Sequence, residues 1–324
     1  MEETVFAQKP IGDSDPWDVA IIGSGPAGLS AAIYTTRGAA STVIFGGEKW
    51  GGQLMLTTQV DNFPGFPKGI MGPELMENMK NQAIRFGGEF RPQNVTKVEA
   101  GPGGFFKLVV EEKEVLAKSV IIATGAETMW LGVDGEKELI GKGVSSCAPC
   151  DAPFFKDKKV LVVGGGDSAM EEALVLSKYA TSVSIIHRKS EFKASKAMQK
   201  RVLDNKKINV VWDTQVIEIV GDQKFEKAKV KNIKTNQESE MVADGIFVAI
   251  GHKPSTEIFK GFVDLDEKGY VVKKDQGSSI TAIPGIFVSG DVHDYHYKQA
   301  ITAAGYGCQA GMDVLEFLSN SNLD

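Results

Sequence analysis

The chain is poor in cysteine, with 3 among its 324 residues. A disulfide framework of the kind that staples small secreted domains is therefore excluded. No uninterrupted run of roughly 18 or more apolar residues occurs, so no transmembrane helix is expected. The opening residues M-E-E-T-V-F-A-Q-K-P carry no charged-then-apolar signal pattern. These absences point to a reducing, cytoplasmic setting. There a close cysteine pair serves catalysis or metal binding more often than structure. Basic charge is not in excess: 36 Lys and Arg stand against 42 Asp and Glu, a net charge of -6. That balance argues against a nucleic-acid partner, which wants a basic face. Solenoid-like periods and low-complexity segments are also missing.

What the chain has is glycine, 36 residues of it, in an ordinary globular composition of 42% hydrophobic and 24% charged residues. Its length suits two domains at roughly 100–200 residues each. Residues 1–16 are polar and read as a loose leader. The apolar run W-D-V-A-I-I at 17–22 reads as a buried strand, followed by Gly23-Ser24-Gly25-Pro26-Ala27-Gly28, a helical pattern, and the strand S-T-V-I-F at 41–45. The same phrase recurs: the strand K-V-L-V-V at 159–163, the turn Gly164-Gly165-Gly166-Asp167-Ser168-Ala169, an amphipathic helix from Met170, and the strand S-V-S-I-I at 182–186. Each is a βαβ unit. Other strands run into Ala123-Thr124-Gly125, into Ile250-Gly251 and into Gly290-Asp291, and a last helix covers about 299–318. The final part has no dinucleotide turn of its own and is expected to complete the first domain. The expected fold class is α/β: two Rossmann-like dinucleotide-binding domains, the second inserted in the first. Residues 17–126 and 253–324 form one, residues 127–252 the other.

In G-x-G-x-x-G the first glycine makes the turn, the second admits a pyrophosphate, and the third lets helix and strand close up. Gly23, Gly25 and Gly28 fill these places once, and Gly164, Gly166 and Ala169 fill them again. The helix N-terminus adds free N–H groups and partial positive charge. The second βαβ strand then separates the ligands, since an acid there binds a ribose hydroxyl and a base the 2′-phosphate of NADP. In the second unit it ends in His187-Arg188-Lys189, with Lys193 close behind and no acid at the strand end, which favours NADPH over NADH. In the first unit the acid is displaced, and Glu48 is the candidate.

Cys147 and Cys150 frame a C-x-x-C followed at once by Asp151. Such a pair can bind zinc, staple a loop or carry electrons. A structural zinc needs four ligands. Cys308 reads as helix packing, and His293 and His296 as surface imidazoles, so no metal site is expected.

Several phrases together identify a family: G-S-G-P-A-G at 23–28, G-G-Q-L at 51–54, N-F-P-G-F-P at 62–67, A-T-G-A at 123–126, C-A-P-C-D at 147–151, G-G-G-D-S-A-M-E-E-A at 164–173, H-R-K at 187–189, A-I-G-H at 249–252 and G-D-V at 290–292. From Trp17 to Leu318 the chain resembles the low-molecular-weight thioredoxin reductases of bacterial, archaeal and plant type. The resemblance implies FAD in the first domain and NADPH in the second. It sets Gly52, Gln53 and Leu54 against the FAD, Asn62 and Pro64 near its isoalloxazine, Asp291 at its ribityl chain, and Lys298, Gln299 and Ala300 beside the flavin. It implies a homodimer, a thioredoxin-like protein substrate, and rotation of the domains about crossings near Gly125-Ala126 and Gly251-His252. It further implies that Cys150 takes electrons from the flavin, that Asp151 handles the proton, and that Cys147 attacks the partner's disulfide.

The chain departs from the family at three places. Ala152-Pro153 replaces a glycine after the C-x-x-C-D, Lys298 replaces an arginine, and Lys189 and Lys193 replace arginines in the basic loop. Lysine keeps the charge and loses the bidentate fork. A flavin-dependent disulfide reductase fed by NADH or ferredoxin, and a non-catalytic redox-sensing flavoprotein, stay open as alternatives.

Overall fold

The computed structural model describes residues 15–57 and 59–321. The leader expected over 1–16 lies outside the described residues as far as residue 14. The chain divides into two compact units, one of 1–127 with 253–324 and one of 128–252.

In the first unit the strand Trp17–Ile22 pairs in parallel with Thr42–Phe45 on one side and with the end of Lys113–Ile122 on the other. Nearly every residue of these strands is buried, the pattern of a parallel sheet covered on both faces. Glu89–Arg91 extends the sheet beyond Thr42–Phe45, and Ile286–Val288 extends it beyond Lys113–Ile122. The last segment of the chain thus supplies a parallel strand to a sheet begun at Trp17. Lys113–Ile122 does two jobs. Its first half pairs antiparallel with Phe106–Val110, which pairs in turn with Val95–Ala100.

The helix Pro26–Arg37 starts with a proline at its first position, where the missing N–H costs nothing. It packs along the C-terminal helix Ala300–Asn320. Small residues make that contact close: a Cβ on Gly307 would stand 2.2 Å from Ala27 O and 2.8 Å from Ser30 Cβ.

In the second unit five strands form a parallel sheet in the order Val144–Ser145, Gly245–Val248, Lys159–Val163, Ser182–Ile186, Ile208–Val211. Thr214–Val220, Lys227–Asn232 and Glu238–Val242 form a separate antiparallel sheet. The sequence pattern starts the second glycine-turn helix at Met170. In the structure it runs Asp167–Leu176, capped by Gly166. The turn feeds straight into the helix, and its first residues are polar, so apolar periodicity could not mark them.

The glycine contact between the two helices of the first unit is testable. Gly307→Ala must push a methyl group into the backbone of Pro26–Arg37, an overpacking worth about 1–3 kcal/mol. The thermal midpoint should fall by several degrees. An unchanged midpoint in a melting scan would contradict the close packing.

Candidate functional site

The first glycine turn is closed by the protein's own backbone. Gly23 has φ +114°, and a Cβ there would lie 2.2 Å from Ala123 O. A Cβ on Gly28 would lie 2.1 Å from Gly23 O. Gly25 differs: a Cβ there would meet nothing within 4 Å. Nothing in the protein demands a glycine at that place, which is the place that faces a pyrophosphate in the motif. Ser24 is buried, and its hydroxyl donates to Gly46 O and accepts from Gly51 N–H, tying the turn to the segment that carries Gly52, Gln53 and Leu54. The Cβ position of Gly52 lies 3.6 Å from Gly25 Cα. Ala123 N–H donates to Ile22 O, so Ala123-Thr124-Gly125 sits beside the same turn. Glu48 stands exposed in the turn after Thr42–Phe45.

The last segment comes to this turn from the other side. A Cβ on Gly290 would lie 2.7 Å from Ala27 Cβ. Beside it, Asp291 Oδ1 is buried without a hydrogen-bond partner. Burial first, and the charge of Asp294 second, push the Asp291 carboxyl up to about 7, with Lys298 opposing. Gln299 caps the C-terminal helix, and its Oε1 accepts from Asn62 Nδ2 at 3.3 Å. Asn62 and Gln299 are therefore together, with Lys298 and Ala300 adjacent to the latter. Pro64 lies exposed in the turn that follows Asn62.

Ser289 Oγ and His293 Nε2 are also buried and unpartnered in this stretch. His293 corrects the expectation of a surface imidazole. Burial, then Lys273, brings it down to about 4, and its ring lies 4.6 Å from that of Tyr306, edge to face. The sequence D-V-H-D-Y-H-Y is too polar to reveal this. His296 is exposed as expected.

The second glycine turn repeats the logic. A Cβ on Gly164 would lie 2.4 Å from Ala249 O and 2.7 Å from Ala169 Cβ, while a Cβ on Gly166 would meet nothing within 4 Å. The loop after Ser182–Ile186 folds back on this turn, since Lys193 N–H and Ala194 N–H both donate to Gly165 O. Asp167 Oδ1 accepts from Ser195 N–H and fixes the far end of the loop. Arg188, Lys189 and Lys193 are exposed, and Ser168 is exposed at the helix start. His187 is buried, its Nε2 2.9 Å from Glu191 O and its ring packed near Phe192 and Trp212. It holds the loop from behind. Ile250 and Gly251 follow the unit's last parallel strand, Gly245–Val248, and Gly251 O accepts from Met129 N–H.

Cys147 and Cys150 form a disulfide, with Cα atoms 5.3 Å apart. Thiols so joined have no thiolate to offer a metal, and among the described residues no cluster of His, Cys, Asp or Glu could hold one. The pair spans the short turn Ala148–Asp151, with Cys150 exposed and Cys147 half-buried. Asp151 Oδ2 accepts from Ser145 Oγ at 2.6 Å, and Ser145 Oγ accepts from Cys147 N–H at 3.1 Å. Burial pushes the Asp151 carboxyl above the ordinary carboxylate range, and the bond from Ser145 opposes the rise. Ser145 is a residue that motif reading missed. Cys308 belongs to the other unit, in the C-terminal helix, where its Sγ donates to Met312 Sδ at 4.0 Å.

A family model described as pyridine nucleotide-disulphide oxidoreductase matches residues 17–307. The thioredoxin reductase of Streptomyces coelicolor is 50% identical over 309 residues, which cover 94% of this chain and 95% of the relative. The solved thioredoxin reductase of Streptococcus pyogenes superposes with a TM-score of 0.89 at 39% identity, covering 94% of this chain and 99% of the other. That of Giardia duodenalis gives 0.89 at 40% identity, covering 94% and 100%. With its two glycine turns and its disulfide set beside the half-buried carboxyl of Asp151, the chain belongs to the pyridine nucleotide-disulphide oxidoreductase family, among the low-molecular-weight thioredoxin reductases.

Proposed function

We propose that the protein is an NADPH-dependent, FAD-containing thioredoxin reductase that works in the cytoplasm as a homodimer. The observation that carries this reading is the Cys147–Cys150 disulfide joined through Ser145 to the raised carboxyl of Asp151. The net reaction takes a hydride (two electrons and one proton) from NADPH and one proton from solvent and breaks one disulfide in a thioredoxin-like protein, giving NADP⁺ and two thiols.

The residues fit the two nucleotides. Open space over Gly25 and the unpartnered Asp291 Oδ1 suit FAD, whose ribityl hydroxyls can donate to that oxygen. FAD, when bound, supplies a two-electron relay between nicotinamide and disulfide. Open space over Gly166, with Arg188, Lys189 and Lys193 on the loop folded against Gly165, suits NADPH and its 2′-phosphate.

Asp151 then handles the proton. Its raised carboxyl stays protonated nearer neutrality than an ordinary aspartate and can donate to a sulfur released when the S–S bond breaks. In the return step it takes a proton, and a thiolate attacks the partner's disulfide through a mixed disulfide. The resemblance gives that attack to Cys147. Disulfide and NADPH loop both belong to the second unit and the FAD turn to the first, so the two take turns at the flavin. Rotation about the crossings near Gly125-Ala126 and Gly251-His252 would provide the exchange.

Three measurements test the reading. Cys147→Ser and Cys150→Ser should each abolish reduction of a thioredoxin disulfide, while NADPH still bleaches the flavin absorbance of both. Full activity in either variant would remove the pair from the mechanism. Arg188→Ala should raise the KM for NADPH about tenfold or more, one charge-assisted hydrogen bond's worth, and leave that for NADH nearly unchanged. Equal increases would mean that the loop does not read the 2′-phosphate. Asp291→Ala should be purified with less than one FAD per chain, judged by the ratio of flavin to protein absorbance. Full flavin content would show that this carboxyl does not hold the cofactor.

A further inference from the structure

Every peptide donor of the disulfide turn is already engaged. Cys147 N–H donates to Ser145 Oγ at 3.1 Å, and Ala148 N–H donates to Glu172 Oε2. Pro149 has no N–H. Cys150 N–H and Asp151 N–H both donate to Cys147 O. Glu172 comes from the helix Asp167–Leu176, the one opened by the second glycine turn.

Cys147 occupies the cap position of the turn Ala148–Asp151. A thiolate at such a position is ordinarily stabilised by the N–H groups that follow and by the positive end of the turn. Here none of those N–H groups is free, and a carboxylate holds the first of them. The Ala148 N–H, first donor of the turn after Cys147, is thus held by the carboxyl group of Glu172. Lost donors and added negative charge act in one direction, against a thiolate.

We propose that Glu172 is a positioning residue that keeps reduced Cys147 in its thiol form between turnovers, by occupying the Ala148 amide and placing negative charge at that end of the turn. The inference rests on the reading of Cys147 and Cys150 as the redox couple. Reduction of the disulfide takes two electrons from the enzyme's nicotinamide donor and two protons, and yields two thiols. Oxidation returns both electrons and protons to the partner's disulfide. A dithiol whose thiolate is not favoured is the more reducing one, because a stabilised reduced form makes a disulfide a stronger oxidant. Glu172 thereby suits a couple that must give electrons away.

The test uses the full-length holoenzyme, reduced with dithiothreitol and desalted. Iodoacetamide alkylation is followed across pH, and mass spectrometry reads Cys147 separately from Cys150 and Cys308. In Glu172→Gln the acceptor remains and the charge is gone, so the Cys147 curve should move to lower pH. An about tenfold gain in thiolate fraction, offset in part by lower nucleophilicity, leaves about threefold in rate near neutrality. Glu172→Ala also frees the amide and should move the curve at least as far. The proposal is overturned if both variants retain their flavin and the Cys147 curve stays in place or moves to higher pH. It is equally overturned if Cys147 and Cys150 change by one common factor at every pH, the sign of a merely structural role. Because dithiothreitol supplies the electrons, the outcome is independent of the nucleotide donor. Failure of the thioredoxin reductase reading would show instead in the activities of the Cys147→Ser and Cys150→Ser enzymes.

Discussion

Both nucleotide turns depend on a backbone approach too close for a side chain. Where Trp17–Ile22 hands the chain to a helix, the place of a Cβ on Gly23 is already filled by Ala123 O, and that of one on Gly28 by Gly23 O. Where Lys159–Val163 does the same, Ala249 O fills the place at Gly164. These contacts draw the helix N-terminus onto the sheet and set its free N–H groups at the C-terminal end of a central strand. The middle glycine of each turn is left with open space above it. The same sterics that fix the fold therefore also define where a phosphate can sit.

The first unit depends on a further constraint, which is that its sheet is finished by the end of the chain. Ile286–Val288 pairs with Lys113–Ile122, and the turn after it brings Gly290 against Ala27 and buries the Asp291 carboxyl. A carboxyl so buried is costly unless something donates to it. The Ser289–His293 stretch holds three buried and unpartnered polar atoms, on Ser289, Asp291 and His293. That concentration marks it as a place built around a ligand more than around its own packing.

The disulfide turn is held from two directions. Ser145 links it to Asp151, and Glu172 links it to the helix of the second glycine turn. The redox pair and the nucleotide turn thus share one rigid support. A couple placed by second-layer hydrogen bonds keeps its geometry as the bond opens and closes, which a floppy surface loop could not do.

The sequence by itself determined the two βαβ units, the strands at 17–22, 41–45, 159–163 and 182–186 to within a residue, the cationic loop and the C-x-x-C with its aspartate. These are local: apolar runs, glycine spacing and adjacent residues carry them, and the chain's neighbours along the backbone are the partners that matter. The tertiary structure alone decided that Gly25 and Gly166 have open space above them, that Gln299 meets Asn62, that the Nε2 of His293 is buried, and that Ser145 and Glu172 grip the redox turn. Each of these joins residues from separate elements, and their polarity gave them no periodic signal. Burial and hydrogen-bond partnership are properties of the packed chain, so they come into being only when distant segments close on one another.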